Sequence, residues 1–153
     1  MDVLAIKKLR EMTGAGVADC QLALAEVGGD MKKAIEWLRQ KGMERAGKKE
    51  GREVKAGAVF SYVHHTGKLG ALVALACETD FVAQTEDFLK LGRELAMQTA
   101  ASKPANPEEL LQQEYMRDPA RTVAELIKEV VGKLGENIMV TALQVVEVSG
   151  MVR

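Results

Sequence analysis

Aromatic residues are scarce in this 153-residue sequence, at 4%, with a single tryptophan. A core has to be assembled from Leu, Val, Ile, Ala and Met instead. Cysteine is scarcer still. Cys20 and Cys77 are too few for a disulfide framework and have no metal-ligand spacing, which fits a reducing cytoplasm. No run approaches the roughly 18 apolar residues of a membrane span. The amino-terminal MDVLAIKKLREMTGAG has acids and bases where a signal peptide needs an apolar stretch. Neither sign of charge dominates: a formal net charge of −1 supplies no global field toward nucleic acid or an anionic membrane. Repeats and low-complexity tracts are also missing. What the chain does have is 47% hydrophobic and 28% charged residues, the balance of a globular protein. Its length allows one ordinary domain, or a very small one and a modest one.

Residues 3–42 read as three short helices. Val3, Leu4, Ile6, Leu9 and Met12 recur at helical spacing until Thr13-Gly14-Ala15-Gly16. Asp19 is placed to cap a second helix, with Leu22, Leu24 and Val27, that Gly28-Gly29 ends. Asp30 is placed to cap a third, with Ala34, Ile35, Trp37 and Leu38. Helices this short are marginal alone and must bury their stripes against one another. Residues 43–55 are polar and punctuated by glycine, and read as a basic helical tail running into a linker.

From residue 56 the period becomes strand-like. Residues 58–63 and 69–76 flank His64-His65-Thr66-Gly67-Lys68 as a β-hairpin, and residues 78–84 read as a loop. Thr85 caps a helix reaching about residue 101, with Phe88, Leu91, Leu95 and Met97 inward. After Pro104 and Pro107, residues 108–115 read as a short helix and 122–134 as a longer one ended by Gly135. Residues 138–148, rich in Val and Ile, read as a third strand. The fold class is therefore α+β. A three-helix module over 1–42 and a tail over 43–55 precede an α+β core over 56–153, with a three-stranded antiparallel sheet and helices.

Few groupings suggest chemistry. Gly14-Ala15-Gly16 follows a helix where a phosphate loop follows a strand, so it reads as a helix–helix turn; beside Met12 and Val17 it also offers a flat contact surface. Thr66-Gly67-Lys68 lacks the Walker spacing. His64 and His65, if on a strand, point to opposite faces and cannot share a metal. Cys77 has Glu78 beside it, which raises its thiol pKa, and no histidine within the strand, so it reads as a buried structural cysteine. Residues 39–55 hold seven bases and three acids, but without interleaved aromatics the run reads as a solvated helix face and not an RNA site. In Cys77-Glu78-Thr79-Asp80-Phe81-Val82-Ala83 two acids flank a threonine before a large apolar side chain. Phe81 is there either a core anchor or an exposed hot-spot residue.

Motifs along almost the whole chain carry a family resemblance. They are Leu9-Arg10-Glu11-Met12-Thr13-Gly14-Ala15-Gly16, Asp19-Cys20, Gly29-Asp30 and Lys33-Ala34-Ile35-Glu36-Trp37-Leu38-Arg39, then the 77–83 stretch and Lys133-Leu134-Gly135-Glu136-Asn137-Ile138. In this order and spacing they resemble elongation factor Ts, the guanine-nucleotide exchange factors of the translational GTPase elongation factor Tu. The resemblance implies a ubiquitin-associated-like module over 1–42 that docks on the GTPase, with Arg10, Met12, Gly14 and Val17 near the contact. It implies that Asp80 and Phe81 form the working tip, pushed toward the GTPase's magnesium and phosphate region, with Thr79 and Val82 shaping the loop. It implies a cytoplasmic protein that acts by binding, is not an enzyme, and has no catalytic residue, cofactor or metal of its own. It implies no direct contact with nucleic acid or membrane.

The sequence departs from the family pattern at Ala74 and Ala76, where Glu and Asn are frequent, and at Thr141, Ala142 and Leu143, where a basic pair and an aromatic are common. The second core half, coiled hairpin and terminal helix of long members are missing. Short members without them resemble homodimers, and an unpaired Val-rich final strand favours such association. A different class of reading is an adaptor whose three-helix module binds a ubiquitin-like or ribosome-associated partner.

Overall fold

Helix α1, Val3–Thr13, starts where the Asp2 carboxylate accepts from the Leu4 amide and ends at Gly14, whose left-handed backbone (φ 68°) turns the chain. The computed structural model describes residues 2–149; Met1 and residues 150–153, the outer ends of the 1–42 and 56–153 ranges, lie outside the described residues. Helix α2, Val17–Glu26, is capped by Gly16 and not by Asp19. Asp19 sits in its first turn, where both carboxylate oxygens accept from Arg45, at 2.7 and 2.9 Å. That guanidinium holds the Asp19 carboxyl below its ordinary range.

Helix α3 runs from Met31 to Lys49, so the helical tail continues it without a break. Asp30 caps it as expected, accepting from the Lys33 amide at 3.0 Å. The three helices bury Ile6, Leu9, Cys20, Ala23, Leu24 and Ala34 together. Val3, Leu4, Met12 and Leu22, which share the helical spacing, stay exposed, because three short helices enclose only one narrow seam.

Strands β1 (Ala56–Val63) and β2 (Leu69–Cys77) form the expected hairpin. The 78–84 segment is not a plain loop: Asp80–Ala83 is a single helical turn, α4. Helix α5, Glu86–Ser102, begins at its Thr85 cap and lays Phe88, Leu91, Leu95 and Ala96 on Phe60, Val73, Leu75 and Cys77 of the sheet. Gly92 is what lets it lie so close, since a Cβ there would overlap the Phe60 ring. Met97 is only half buried, and Gln98 is inward in its place.

Helix α6, Pro107–Gln112, is shorter than expected. Glu114–Tyr115 is β3, which pairs with β4, Asp118–Thr122, in a small ribbon. Gln98 anchors that ribbon: its side-chain amide donates to the Glu114 carbonyl (2.9 Å) and accepts from the Met116 amide (3.0 Å). Tyr115 donates to Glu94 at 2.9 Å, and burial followed by that carboxylate pushes its pKa to about 12.

Helix α7, Val123–Leu134, opens on a Thr122–Glu125 capping box and closes at left-handed Gly135. It crosses α3 so closely that a Cβ on Gly132 would overlap the backbone of Gly42. Arg39 of α3 pairs with Glu129 of α7 at 2.8 Å, and Ala46 of α3 joins the core shared by α5, α7 and the sheet.

Strand β5, Met139–Glu147, pairs with the free side of β2, so the antiparallel order is β1-β2-β5. The pairing shifts register between Ala74 and Leu75, leaving Thr141 as an extra residue. This bulge lets Val140 and Leu143, three apart, both face the helices. The opposite face carries Val59, Ser61 and Val63 of β1, Leu72, Ala74 and Ala76 of β2, and Met139, Ala142, Gln144 and Val146 of β5. None of these ten side chains is charged, and among the described residues no helix covers Val59, Val63, Leu72, Met139 or Val146.

Candidate partner-binding site

Four residues cannot make a stable helix unaided. The α4 turn is held at both ends. At its start the Thr79 hydroxyl accepts from the Val82 amide at 3.4 Å; at its end the Thr85 hydroxyl donates to the Val82 carbonyl at 2.8 Å. Successive helical residues point about 100° apart, so a single turn can present two faces. Val82 takes the inner one, 8% exposed, and Phe81 the outer one, 87% exposed. The anchor is therefore Val82, and Phe81 is a fully offered aromatic ring. Asp80 is exposed beside it.

The segment leading into the turn is tied to the α7–β5 connection. Glu136 accepts with one oxygen from the Glu78 and Thr79 amides, at 3.1 and 2.9 Å, and with the other from the Thr79 hydroxyl at 2.6 Å. Glu78 reciprocates. Its carboxylate accepts from the Asn137 amide at 3.2 Å and pairs with Arg52 at 2.8 Å, and the Asn137 side chain donates to the Arg52 carbonyl at 2.7 Å. The role of Glu136 was not readable from its motif, because its partners lie more than fifty residues away.

The α1–α2 turn exposes Arg10, Met12, Gly14 and Val17. It lies against α7: a Cβ on Gly14 would collide with the Lys133 ammonium group. The same ammonium donates to Asp87 at 3.1 Å, in the first turn of α5 and four residues after α4 ends. One lysine thus links the turn to the element that follows the Phe81 tip. A cleft of about 600 Å³ between these parts is lined by Asp19, Arg39, Arg45, Asp87, Glu129 and Lys133 among others. Those six charges pair with one another: Arg39–Glu129 ties α3 to α7, Asp19–Arg45 ties α2 to α3, and Asp87–Lys133 ties α5 to α7.

The remaining candidates are inert or peripheral. Cys20 and Cys77 are buried. Burial above all raises the Cys77 thiol pKa, with Glu136 next and Glu78 the least of the causes; the thiol also donates to the Thr79 carbonyl at 3.2 Å. His64 and His65 do not point to opposite faces. They lie beyond the end of β1, in the hairpin turn, where their rings approach to 4.1 Å. Among the described residues no three His, Cys, Asp or Glu side chains are grouped as metal ligands, and no helix is long and apolar enough to cross a membrane.

A family model described as elongation factor TS matches residues 78–153, a span that holds both the Phe81 turn and Glu136. A protein of Fervidobacterium nodosum named elongation factor Ts is 41% identical, over 89% of this chain and 92% of its own length. The chain belongs to the elongation factor Ts family. Other elongation factor Ts proteins agree: that of Desulforamulus reducens is 41% identical over 87% of this chain and 82% of its own length. That of Rippkaea orientalis is 43% identical over 88% and 73%. The departures from the family pattern at Ala74, Ala76 and Ala142 fall on the sheet face opposite the helices.

Proposed function

We propose that this chain is a cytoplasmic exchange factor for elongation factor Tu, speeding GDP release and so GTP reloading by binding alone, with no covalent step. The observation that carries this reading is Phe81, a large apolar side chain held 87% exposed on a turn whose neighbour Val82 is buried. Exposing such a ring has no folding benefit, whereas a ring on a rigid support is a preorganised binding anchor.

Exchange works by linkage: factor and nucleotide each weaken the other's hold by the same ratio. A thousandfold weakening requires about 4.2 kcal/mol of coupling, at about 1.4 kcal/mol per tenfold. Burying one Phe supplies about 1.5–3 kcal/mol, so Phe81 alone falls short. Docking through Arg10, Met12, Gly14 and Val17 supplies anchoring affinity. Asp80 and Phe81, shaped by Thr79 and Val82, then favour a GTPase conformation that cannot hold magnesium and phosphate tightly. Only this difference between conformations accelerates release.

The test is release of a fluorescent GDP from purified elongation factor Tu, with and without this protein. Acceleration that disappears in the Asp80→Ala, Phe81→Ala double variant is expected. Binding without acceleration would replace exchange by the adaptor reading. Phe81→Ala alone should leave thermal stability within about 0.5 kcal/mol, as for other exposed sites, while cutting the release rate about tenfold or more.

The occupant proposed for the uncovered sheet face is a second copy of this chain. The face is largely apolar, with Ser61 and Gln144 its polar members, is uncharged and is bordered by β5, an edge strand, and two such faces stacked are a β-sandwich interface. Leu72→Asp, at the centre of the face, should convert a dimer to a monomer in sedimentation equilibrium. A monomeric unsubstituted protein would remove the proposal.

A further inference from the structure

We propose that Glu136 is the positioning residue of the exchange tip: it acts on the GTPase only through Thr79, by holding the α4 turn in the conformation that presents Phe81. This rests on the exchange reading for its functional half, and on the geometry of this chain alone for its structural half.

One carboxylate here satisfies three donors of the segment that enters the turn, the Glu78 and Thr79 amides and the Thr79 hydroxyl. These are charge-assisted bonds, the strong class. They fix the backbone at Thr79 and aim its hydroxyl oxygen at the Val82 amide, which Thr79 caps. Left-handed Gly135 ends α7 immediately before Glu136 and sends the chain toward β5, so the carboxylate comes from the junction of two core elements. Glu78 returns the contact to the Asn137 amide. The two strand-end connections therefore lock each other through reciprocal carboxylates, and the lock is local to the tip. A turn of four residues has too few internal hydrogen bonds to hold its shape without such a support. Glu136 itself is partly shielded, whereas Asp80 and Phe81 are exposed.

Glutamine can replace the carboxylate. Its side-chain oxygen accepts from the two amides and its amide group donates to the Thr79 hydroxyl, whereas alanine removes all three bonds. Two readouts separate the ideas. The first is exchange of the amide hydrogens of residues 78–83 in the whole protein, which needs no GTPase. Glu136→Ala should speed it about tenfold or more, the factor that about 1.4 kcal/mol of local stability represents, with Glu136→Gln within about threefold of the unsubstituted chain. The second is fluorescent GDP release from elongation factor Tu over a range of factor concentrations. Glu136→Ala should lower the maximal rate about tenfold or more and change the half-saturating concentration less than about threefold, with Glu136→Gln again restoring the rate.

Unchanged amide exchange in Glu136→Ala, or glutamine as damaging as alanine, overturns the proposal. So does a loss confined to the half-saturating concentration. Should Glu136→Ala not fold, Glu136→Asp, whose shorter side chain cannot reach all three donors at once, must move both readouts in the same direction. If the unsubstituted chain releases no nucleotide, the exchange reading fails, and amide exchange alone decides the role of Glu136.

Discussion

Gly42 and Gly132 meet where α3 crosses α7, yet alanine at the two positions has opposite expected effects. A Cβ on Gly132 would overlap the Cα, carbonyl carbon and oxygen of Gly42. Backbone in a helix interior cannot rotate away, so α3 would have to lift off α7. A Cβ on Gly42 meets nothing. Replacing glycine by alanine inside a helix stabilises it by about 0.8–1.0 kcal/mol. Overpacking of a tight contact costs about 1–3 kcal/mol. Gly42→Ala therefore has only the gain, and Gly132→Ala has a net loss of up to about 2 kcal/mol. In a chain of this size about 1 kcal/mol moves Tm by about 2–4 °C. Thermal unfolding followed by circular dichroism, supported by urea titration, should show Gly42→Ala melting higher than the unsubstituted protein and Gly132→Ala lower. Gly47→Ala, also open in α3, is the matched control and should resemble Gly42→Ala. The separation of α3 from α7 would also strain the Arg39–Glu129 pair and shift the α1–α2 turn off Lys133, so Gly132→Ala should slow nucleotide release as well. A Gly132→Ala protein as stable as the unsubstituted one would refute the close crossing, and with it the placement of α1–α3 on α7.

Two further predictions concern titrating groups. Both thiols are buried with pKa raised chiefly by burial, so a thiol reagent at neutral pH should leave Cys20 and Cys77 unmodified until the chain is unfolded; rapid native labelling of Cys77 would contradict its reading as a buried structural cysteine. Tyr115 keeps its proton up to about pH 12, above the ordinary tyrosine value of about 10 in an unfolded chain. Because the folded form holds this proton more tightly, its contribution to stability is complete below about pH 10 and is lost as pH rises toward 12. An alkaline absorbance titration should contain a component near 12 that Tyr115→Phe removes, and a titration unchanged by that substitution would contradict the buried Tyr115–Glu94 bond.

The family was legible in the ordered motifs, and the comparisons with known proteins show the same family. Most elements were legible too. Asp30, Thr85 and Thr122 announce helix starts, Gly14 and Gly135 announce ends, and Val-rich alternation marks the strands. Capping and periodicity involve residues within one or two turns, so the chain carries them locally. The elements read differently fail for want of that local signal. Tyr115 leaves α6 because its ring is buried and its hydroxyl meets Glu94, twenty-one residues earlier. Asp19 abandons the cap position because Arg45, on the extended α3, offers two donors.

The candidate site divides in the same way. That residues 79–82 and the Gly14 turn should be the places to look followed from sequence motifs. Sequence by itself determined the order and type of the main elements, the starts of α3, α5 and α7, and the family. Tertiary structure alone decided that Phe81 faces out while Val82 faces in, that Glu136 supports the turn, and that Lys133 links the Gly14 turn to α5. A four-residue turn has too short a period to reveal which side is buried, and a hydrogen bond across fifty-eight residues leaves no mark on the spacing of either partner.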